Sequence, residues 1–493
     1  MMMQYKKHVY AVGLFLLVVV ILGFCIPTWG FKTDDWGNIW QSITSSMSEW
    51  GRFFVDCKSI EIFNHPCNIS PAQQEQAFFC GLFRPMSFLY YAPQYWLFGS
   101  CAYGYFLTTI VMHALASVTF FYVLAHFFTC AWAFLGASFF AFHPSLGRWL
   151  GWVSAQTYQI ELFVLLMIIL LLLYVLNRRS YLAYVLALVL FASNLFLREQ
   201  TFFLPLWLMG AIALYRYYWK RRGGGQSVFY GIALSLPFLG TSAFYIFQRL
   251  RFFPLTAKTT TLTFEPTWAS FINRMIERKY DFVTYVVDMF GFSWMPGNNQ
   301  LIKGVVLVSV VFMLLLLFRR YGYFIPALFM AASIPLFSWP SLLMHAQPRY
   351  MYMALPIFIA FVMMLLWPLI HQRTVRFFVA FLVMLVVGAH GFFVFTTMHK
   401  RSSMLAMVTD SFITLLKNPK TDHKALCFIN PPAEYFQAGS AQAVWLLRAS
   451  DQYPVYQVDG VDATTYQLEQ QYQRHNPVYI LWDEQAQKFV IRD

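Results

Sequence analysis

Long apolar runs separated by short polar connections set the pattern of this chain. Runs begin near residues 8, 103, 129, 158, 181, 201, 228, 301, 322, 351 and 375. Each approaches the ~20 mostly apolar residues that a bilayer-spanning helix needs. The pattern predicts about eleven transmembrane helices, several of them punctuated by Pro or Gly. The first run follows Lys6 and Lys7 and has no small-x-small cleavage site after it, so it reads as a retained signal anchor.

The connections alternate in character. Basic clusters occur at Lys6–Lys7, in "NRRS" (177–180), "RYYWKRRGGGQ" (216–226), "FRRYGY" (318–323) and "HQRTVR" (371–376). With eleven spans and a cytoplasmic N-terminus, all five fall on the cytoplasmic side, as the positive-inside rule asks. The opposite face then receives loop 27–101, segments 143–158 and 197–200, loop 249–300, segment 344–352 and the C-terminal tail. These are longer, aromatic and polar, which makes that face the working one. Within 265–290, Trp268, Phe271, Met275 and Ile276 alternate with Arg274, Arg278 and Lys279, as in an amphipathic helix lying on the membrane.

Beyond residue 396 the long apolar runs stop. A helical period covers 402–418, short strands are expected at 424–430, 453–459 and 477–483, and a helix at 438–450. The expected organisation is a transmembrane domain, 1–396, and a small extracytoplasmic α/β domain, 397–493. No internal repeat is visible.

Composition sharpens this reading. The chain is 59% hydrophobic and 12% charged, about half the charged share of a soluble domain. The net charge of +13 sits in the connections, which argues for topology and against nucleic-acid binding. Seven cysteines form no CxxC, so zinc and thioredoxin-like sites have no support. Cys57 and Cys67 either pair in an oxidising compartment or stay as thiols. The sequon at Asn68 matters only in an ER. Walker A, HExxH, GxSxG and GxGxxG motifs are absent.

Polar residues instead gather at the expected outer ends of the spans: Asp34, Asp35, Arg84, His143, Trp152, Gln156, Arg198, Glu199, Arg349 and Tyr350. Charges at membrane depth line cavities or pair with one another. Carboxylates with several arginines suit a reaction needing a base and a phosphate clamp. Blander readings stand beside this one. The aspartates could cap a helix starting at Trp36. Arg349 could snorkel to the interface. Arg198 could pair with Glu199, and Arg84 and His143 could order turns. Gln156 and Trp152 could belong to a wet interfacial belt. His113, inside the second span, fits a hydrogen-bonded packing role.

The order "TDDWGNI" (33–39), "FRPMSFLYYAPQYWLFG" (83–99), "AFHPSLGRWLGWVSAQTYQIELFVLL" (141–166), "LREQTFFLPLWL" (197–208) and "QPRYMYMALP" (347–356) resembles the GT-C fold glycosyltransferases. That superfamily includes protein O-mannosyltransferases and bacterial enzymes using polyprenyl-phosphate sugars. The last three stretches are similar to the O-mannosyltransferases that carry TPR repeats, although this chain has no TPR array. The resemblance implies inverting transfer of a sugar from a polyprenyl phosphate to a hydroxyl on the extracytoplasmic face. Asp34 or Asp35 would be the base. Arg349, Arg198 and Arg84 would hold the donor phosphate. Glu199, Gln156, Trp152, Tyr350 and His143 would line the substrate pocket. No cofactor is assigned, and a divalent cation shared by the aspartates is left open. The sugar is unassigned, and protein, lipid A, glycan or another lipid is the acceptor. The short tail points to a bacterial inner membrane, with the ER membrane as the alternative. Three competing classes are a transporter or flippase, a ligase or polymerase with its large external loop late in the chain, and a non-catalytic scaffold.

Overall fold

The computed structural model describes residues 2–24, 31, 35, 39, 85–148, 150–252, 289, 324–338, 348–367, 373–421, 426–429, 455–458, 478–483 and 488–492. Among them the helices are α1 (Met2–Gly23), α2 (Pro85–Phe98), α3 (Ala102–Phe127), α4 (Cys130–Ala141), α5 (Gln156–Arg178), α6 (Tyr181–Leu197), α7 (Leu204–Leu214), α8 (Gly224–Phe252), α9 (Phe324–Phe337), α10 (Leu355–Leu366) and α11 (Arg373–Leu416). A helix occupies every apolar run named above except the one near 301, which lies outside the described residues. Five helical stretches are long and apolar enough to cross a membrane: Tyr5–Gly23, Ala102–Phe127, Val153–Arg178, Gly224–Arg251 and Ala380–Lys400. Those are the proportions of a helical membrane protein.

The run near 201 departs from a single helix. It begins as a 3-10 turn, Glu199–Phe203, becomes α7, and ends as a π-helical turn, Tyr215–Trp219. Within the first turn the Thr201 N–H is taken by the Glu161 carboxylate.

Helix α3 is the central post, packed against α1, α4 and α5. Its buried positions include Tyr105, Phe106, Ile110, Ala114, Phe120, Phe121 and Leu124. Helices α1 and α3 run antiparallel. At one end the Lys7 ammonium donates to the Ala125 carbonyl (3.1 Å) and His8 meets the Tyr122 hydroxyl. At the other, Phe31 meets Tyr105 edge-on, with ring centroids 5.3 Å apart. Helices α7 and α8 approach closely at Gly231, where a Cβ would lie 2.5 Å from the Met209 carbonyl oxygen.

The bundle therefore has two chemically distinct ends. One collects the starts of α1, α6 and α8 and the ends of α3 and α5, tied by His126 to Tyr215 and by Lys220 to Asn177. The other collects Asp35, the start of α5, the end of α6 and four short 3-10 segments at 144–148, 153–155, 199–203 and 348–353.

Helix α11 is 44 residues long, or about 66 Å at 1.5 Å per residue, twice the ~30 Å hydrocarbon core. It runs unbroken through residues 396 and 397, so the last apolar run and the first helix of the C-terminal region are one rod. A four-stranded sheet of β1 (Leu426–Ile429), β2 (Val455–Val458), β3 (Val478–Asp483) and β4 (Lys488–Arg492) follows. Its order is β2-β1-β3-β4, with β1 parallel to β2 and β3, and β4 antiparallel to β3. The first three strands lie where the sequence predicts them, and β4 is additional. Parallel neighbours need long crossovers. The expected helix at 438–450 would lie in one of them, outside the described residues. The sheet docks on the far half of α11, where the Ser411 hydroxyl accepts the Phe489 N–H at 2.7 Å and Phe412 packs on Phe489.

Candidate functional site

The site is built around residues 152–161. Trp152 is extended, Val153–Ala155 form a 3-10 turn, and α5 starts at Gln156. Asp35 reaches this turn from the first loop. Its Oδ1 accepts both the Ser154 N–H and the Ser154 hydroxyl, each at 2.7 Å, and the side chain is fully buried. Hydrogen bonds to a carboxylate are roughly twice as strong as neutral ones. The first turn of a helix also presents N–H groups and a positive dipole end to an anion. Asp35 thus serves the start of α5, whereas the sequence suggested a cap for a helix beginning at its neighbour Trp36. Residue 35 is itself helical.

Helix α5 then turns two polar faces to its neighbours. On one, the Gln156 amide donates to the Tyr105 carbonyl and to Thr109 Oγ1, both at 2.6 Å, and its oxygen accepts from Gln94 at 3.0 Å. Both of its N–H groups are thereby committed to protein, giving this residue a positioning role between α2, α3 and α5. On the other face, Arg198 Nη1 donates to Thr157 Oγ1 (2.7 Å). Its guanidinium carbon sits 3.4 Å from the centroid of the Tyr158 ring, and its Nε lies 3.9 Å from Glu161 Oε2. Glu161 Oε1 accepts the Thr201 N–H, and the Glu161 carbonyl accepts from Asn194. Arg198 and Glu199 are both buried. The partner of Arg198 is therefore Glu161, one and a half turns into α5, in addition to any contact with the adjacent Glu199.

Polar groups here outnumber their protein partners. The side-chain amides of Gln159 and Gln200 are buried, and neither their nitrogen nor their oxygen bonds to protein. The same holds for Thr201 Oγ1 and Asn194 Oδ1. Buried polar atoms are nearly always satisfied, so these atoms, without partners among the described residues, are where a polar ligand or water would bond. Glu161, Gln159, Asn194 and Gln200 escaped the sequence reading. Their signal was polar residues at or near the ends of otherwise apolar helices: Gln159 and Glu161 near the start of α5, Asn194 near the end of α6, and Gln200 in the turn that follows.

His143 lies just after α4, fully buried. Its Nε2 donates to the Met289 carbonyl (3.0 Å), which leaves Nδ1 to accept from the Ser145 hydroxyl at 2.7 Å. Burial, ahead of the other influences, pushes its pKa down to about 3, so the ring is neutral. It holds the turn at 144–148, which packs on segment 348–353. That segment carries Arg349 and Tyr350 and is anchored through Tyr352, whose hydroxyl donates to His113 Nδ1 at 2.7 Å while His113 Nε2 donates to the Ala141 carbonyl. His113 is thus a hydrogen-bonded packing residue. Trp152 is half-buried beside Ser154.

The structure brings together Asp35, Trp152, Gln156, Arg198 and Glu199, with 348–353 against α5 and 144–148 packed on 348–353. No family model or curated protein matches the chain. Asp34, Arg84, Cys57, Cys67, Asn68 and, apart from Met289, the amphipathic stretch 265–290 lie outside the described residues. Among the described residues no three His, Cys, Asp or Glu side chains converge on a metal position.

An apolar cavity of about 640 Å³ runs along α1, α4 and α11. Tyr10, Leu17 and Ile21 line it from α1, Phe134 from α4, and Gly388 and Phe395 from α11. Chemically, the assembly offers a buried carboxylate held by two donors, a fixed guanidinium, unspent amides and a hydrocarbon-lined trough.

Proposed function

We propose that this protein is an integral membrane glycosyltransferase of the GT-C kind, with about eleven spans and its site on the extracytoplasmic face. It moves a sugar from a polyprenyl phosphate to a hydroxyl acceptor with inversion, and a bacterial inner membrane suits it. The observation that carries the reading is that Asp35 and Arg198 both bind one short stretch, residues 154–161, Asp35 at the 3-10 turn and Arg198 at the start of α5. A carboxylate and a guanidinium on neighbouring turns suit a displacement that takes up a proton at one end and releases a phosphate at the other.

In that displacement the acceptor oxygen attacks the anomeric carbon as the bond from that carbon to the phosphate oxygen breaks. The hydroxyl proton passes to Asp34 or Asp35, and the polyprenyl phosphate leaves with the bonding electrons. Arg198, with Arg349 and Arg84, would stabilise the charge on that phosphate. The buried amides of Gln159 and Gln200 supply the donors and acceptors that sugar hydroxyls require. The apolar cavity beside α1 has the lining that an isoprenoid chain requires. Gln156 and His143 act as positioning residues, holding the first turns of α5 and the turn at 144–148.

The test is release of free polyprenyl phosphate from polyprenyl-phosphate sugars by protein in lipid, with Asp34→Asn and Asp35→Asn in parallel. Asp35→Asn keeps an acceptor oxygen for Ser154 but cannot take up a proton, so the rate should fall by about 10²–10⁴ while the fold is retained. Full release by both variants would sink the assignment of the base. A buried arginine–glutamate pair is also a feature of transporters. Solute movement without release of polyprenyl phosphate would favour that reading.

A further inference from the structure

The other end of the bundle carries a second feature that the transferase reading does not use. Arg178 and Arg179 end α5, and Lys220, Arg221 and Arg222 lead into α8. All five side chains are exposed. Lys220 Nζ bonds Asn177 Oδ1 at 2.6 Å, which joins the two turns into one surface. Arg216 is committed elsewhere, stacked 3.8 Å from the Tyr230 ring centroid. No Asp or Glu occurs in residues 1–33, 162–197 or 200–252, so the elements forming this surface bring no counter-charge at this end.

Two details show a cost carried for this charge. Among the described residues, the non-glycine positions with positive φ are Arg179 (55°) and Arg221 (50°). Glycine or asparagine usually takes such a conformation at a helix end. Lys220, Arg221 and Arg222 also precede the N-terminus of α8, whose dipole is positive and repels cations. The glycines at 223–225 bring no side chain of their own to the first N–H groups of α8. A bound anion reverses the sign of that repulsion and accepts from those N–H groups. Exposed Tyr217 and Trp219 flank the cluster, as aromatic residues do at a headgroup interface.

We infer that the turns at 177–179 and 220–225 form a binding site for the phosphate headgroup of an anionic membrane lipid. Arginines grip the phosphate through their paired N–H groups, the start of α8 closes on it, and Trp219 rests at the level of the acyl ester groups.

The experiment uses full-length protein in detergent, titrated with short-chain phosphatidylglycerol or phosphatidylcholine and read by native mass spectrometry and thermal shift. Phosphatidylglycerol should be retained and should raise Tm, and phosphatidylcholine should do neither. Neutralising Arg178, Arg179, Arg221 and Arg222 to Gln should weaken retention at least about tenfold, given the worth of each cation near a lipid surface. Arg249→Gln with Arg251→Gln, on the opposite end of α8, should leave it unchanged. Arg179→Gly with Arg221→Gly separates binding from folding. Glycine fits both backbones, so Tm without lipid should hold or rise while retention still falls. Equal retention of the two lipids, retention unaffected by the quadruple change, or full displacement by inorganic phosphate at millimolar concentration would overturn the inference.

Discussion

Arg198 shows how one residue can carry both structure and chemistry. It is buried with Glu161, and removing either partner leaves the other as an uncompensated interior charge. Arg198→Ala should cost about 3–5 kcal/mol in thermal unfolding. Arg198→Met with Glu161→Leu should recover most of that, because the desolvation of both charges disappears together. If the guanidinium stabilises the leaving phosphate, the double variant should fold yet release polyprenyl phosphate slowly. Wild-type release by the double variant would make Arg198 purely structural. His143 gives a pH prediction. Its folded pKa of about 3 lies below the ordinary ~6.5, so the fold resists the proton that the unfolded chain accepts. The contribution is complete above about pH 6.5 and declines as pH falls toward 3. Tm should drop between pH 7 and 4, and His143→Gln should flatten that slope; an unchanged slope would assign it to other groups.

At the scale of elements, close approach decides what the helices tolerate. Alanine is the better helix former than glycine by about 1 kcal/mol. At Gly388 no atom of the described residues beyond its own helix turn lies within 4 Å of the position an added methyl would take, so Gly388→Ala should raise Tm. At Gly231 the same substitution drives a methyl against the Met209 carbonyl, a backbone atom that cannot rotate away. There the cost should be about 1–3 kcal/mol, the usual range for overpacking. Thermal unfolding of the two variants side by side checks the contact between α7 and α8, since equal effects would mean the two helices are not so closely packed. The short 3-10 segments follow a related logic. Pro144 and Pro348 open two of them, and proline suits the first turn because it has no N–H to leave unsatisfied.

At the scale of the whole molecule, chemistry divides between the two ends of the bundle. The basic turns at 177–179 and 220–225 and the site around Ser154 belong to opposite ends of the bundle. Helix α11 carries the sheet beyond the end that holds the site, since its start lies near Trp367, which packs on Phe128 at the basic end. With all seven native cysteines replaced, single cysteines at Gly223 and Lys420 should react with an impermeant maleimide from opposite sides of the membrane. Lys420→Cys should label on intact cells, and Gly223→Cys only after permeabilisation. Labelling of both from one side would remove the two-ended topology.

The sequence determined the class of this fold because apolar runs and basic clusters are one-dimensional signals of membrane insertion. It also located the first three strands, whose alternation and β-branched residues are local. It singled out Asp35 and Arg198 because charges at the ends of spans are costly. The partners of those residues were not legible. Ser154 lies far along the chain from Asp35, and Glu161 lies thirty-seven positions from Arg198 (198 − 161). Only helix packing chooses which faces meet. The continuous rod of α11 and the pairing of β4 with β3 are likewise tertiary decisions: the sheet buries Phe489 against Phe412, and that contact holds the last strand in place.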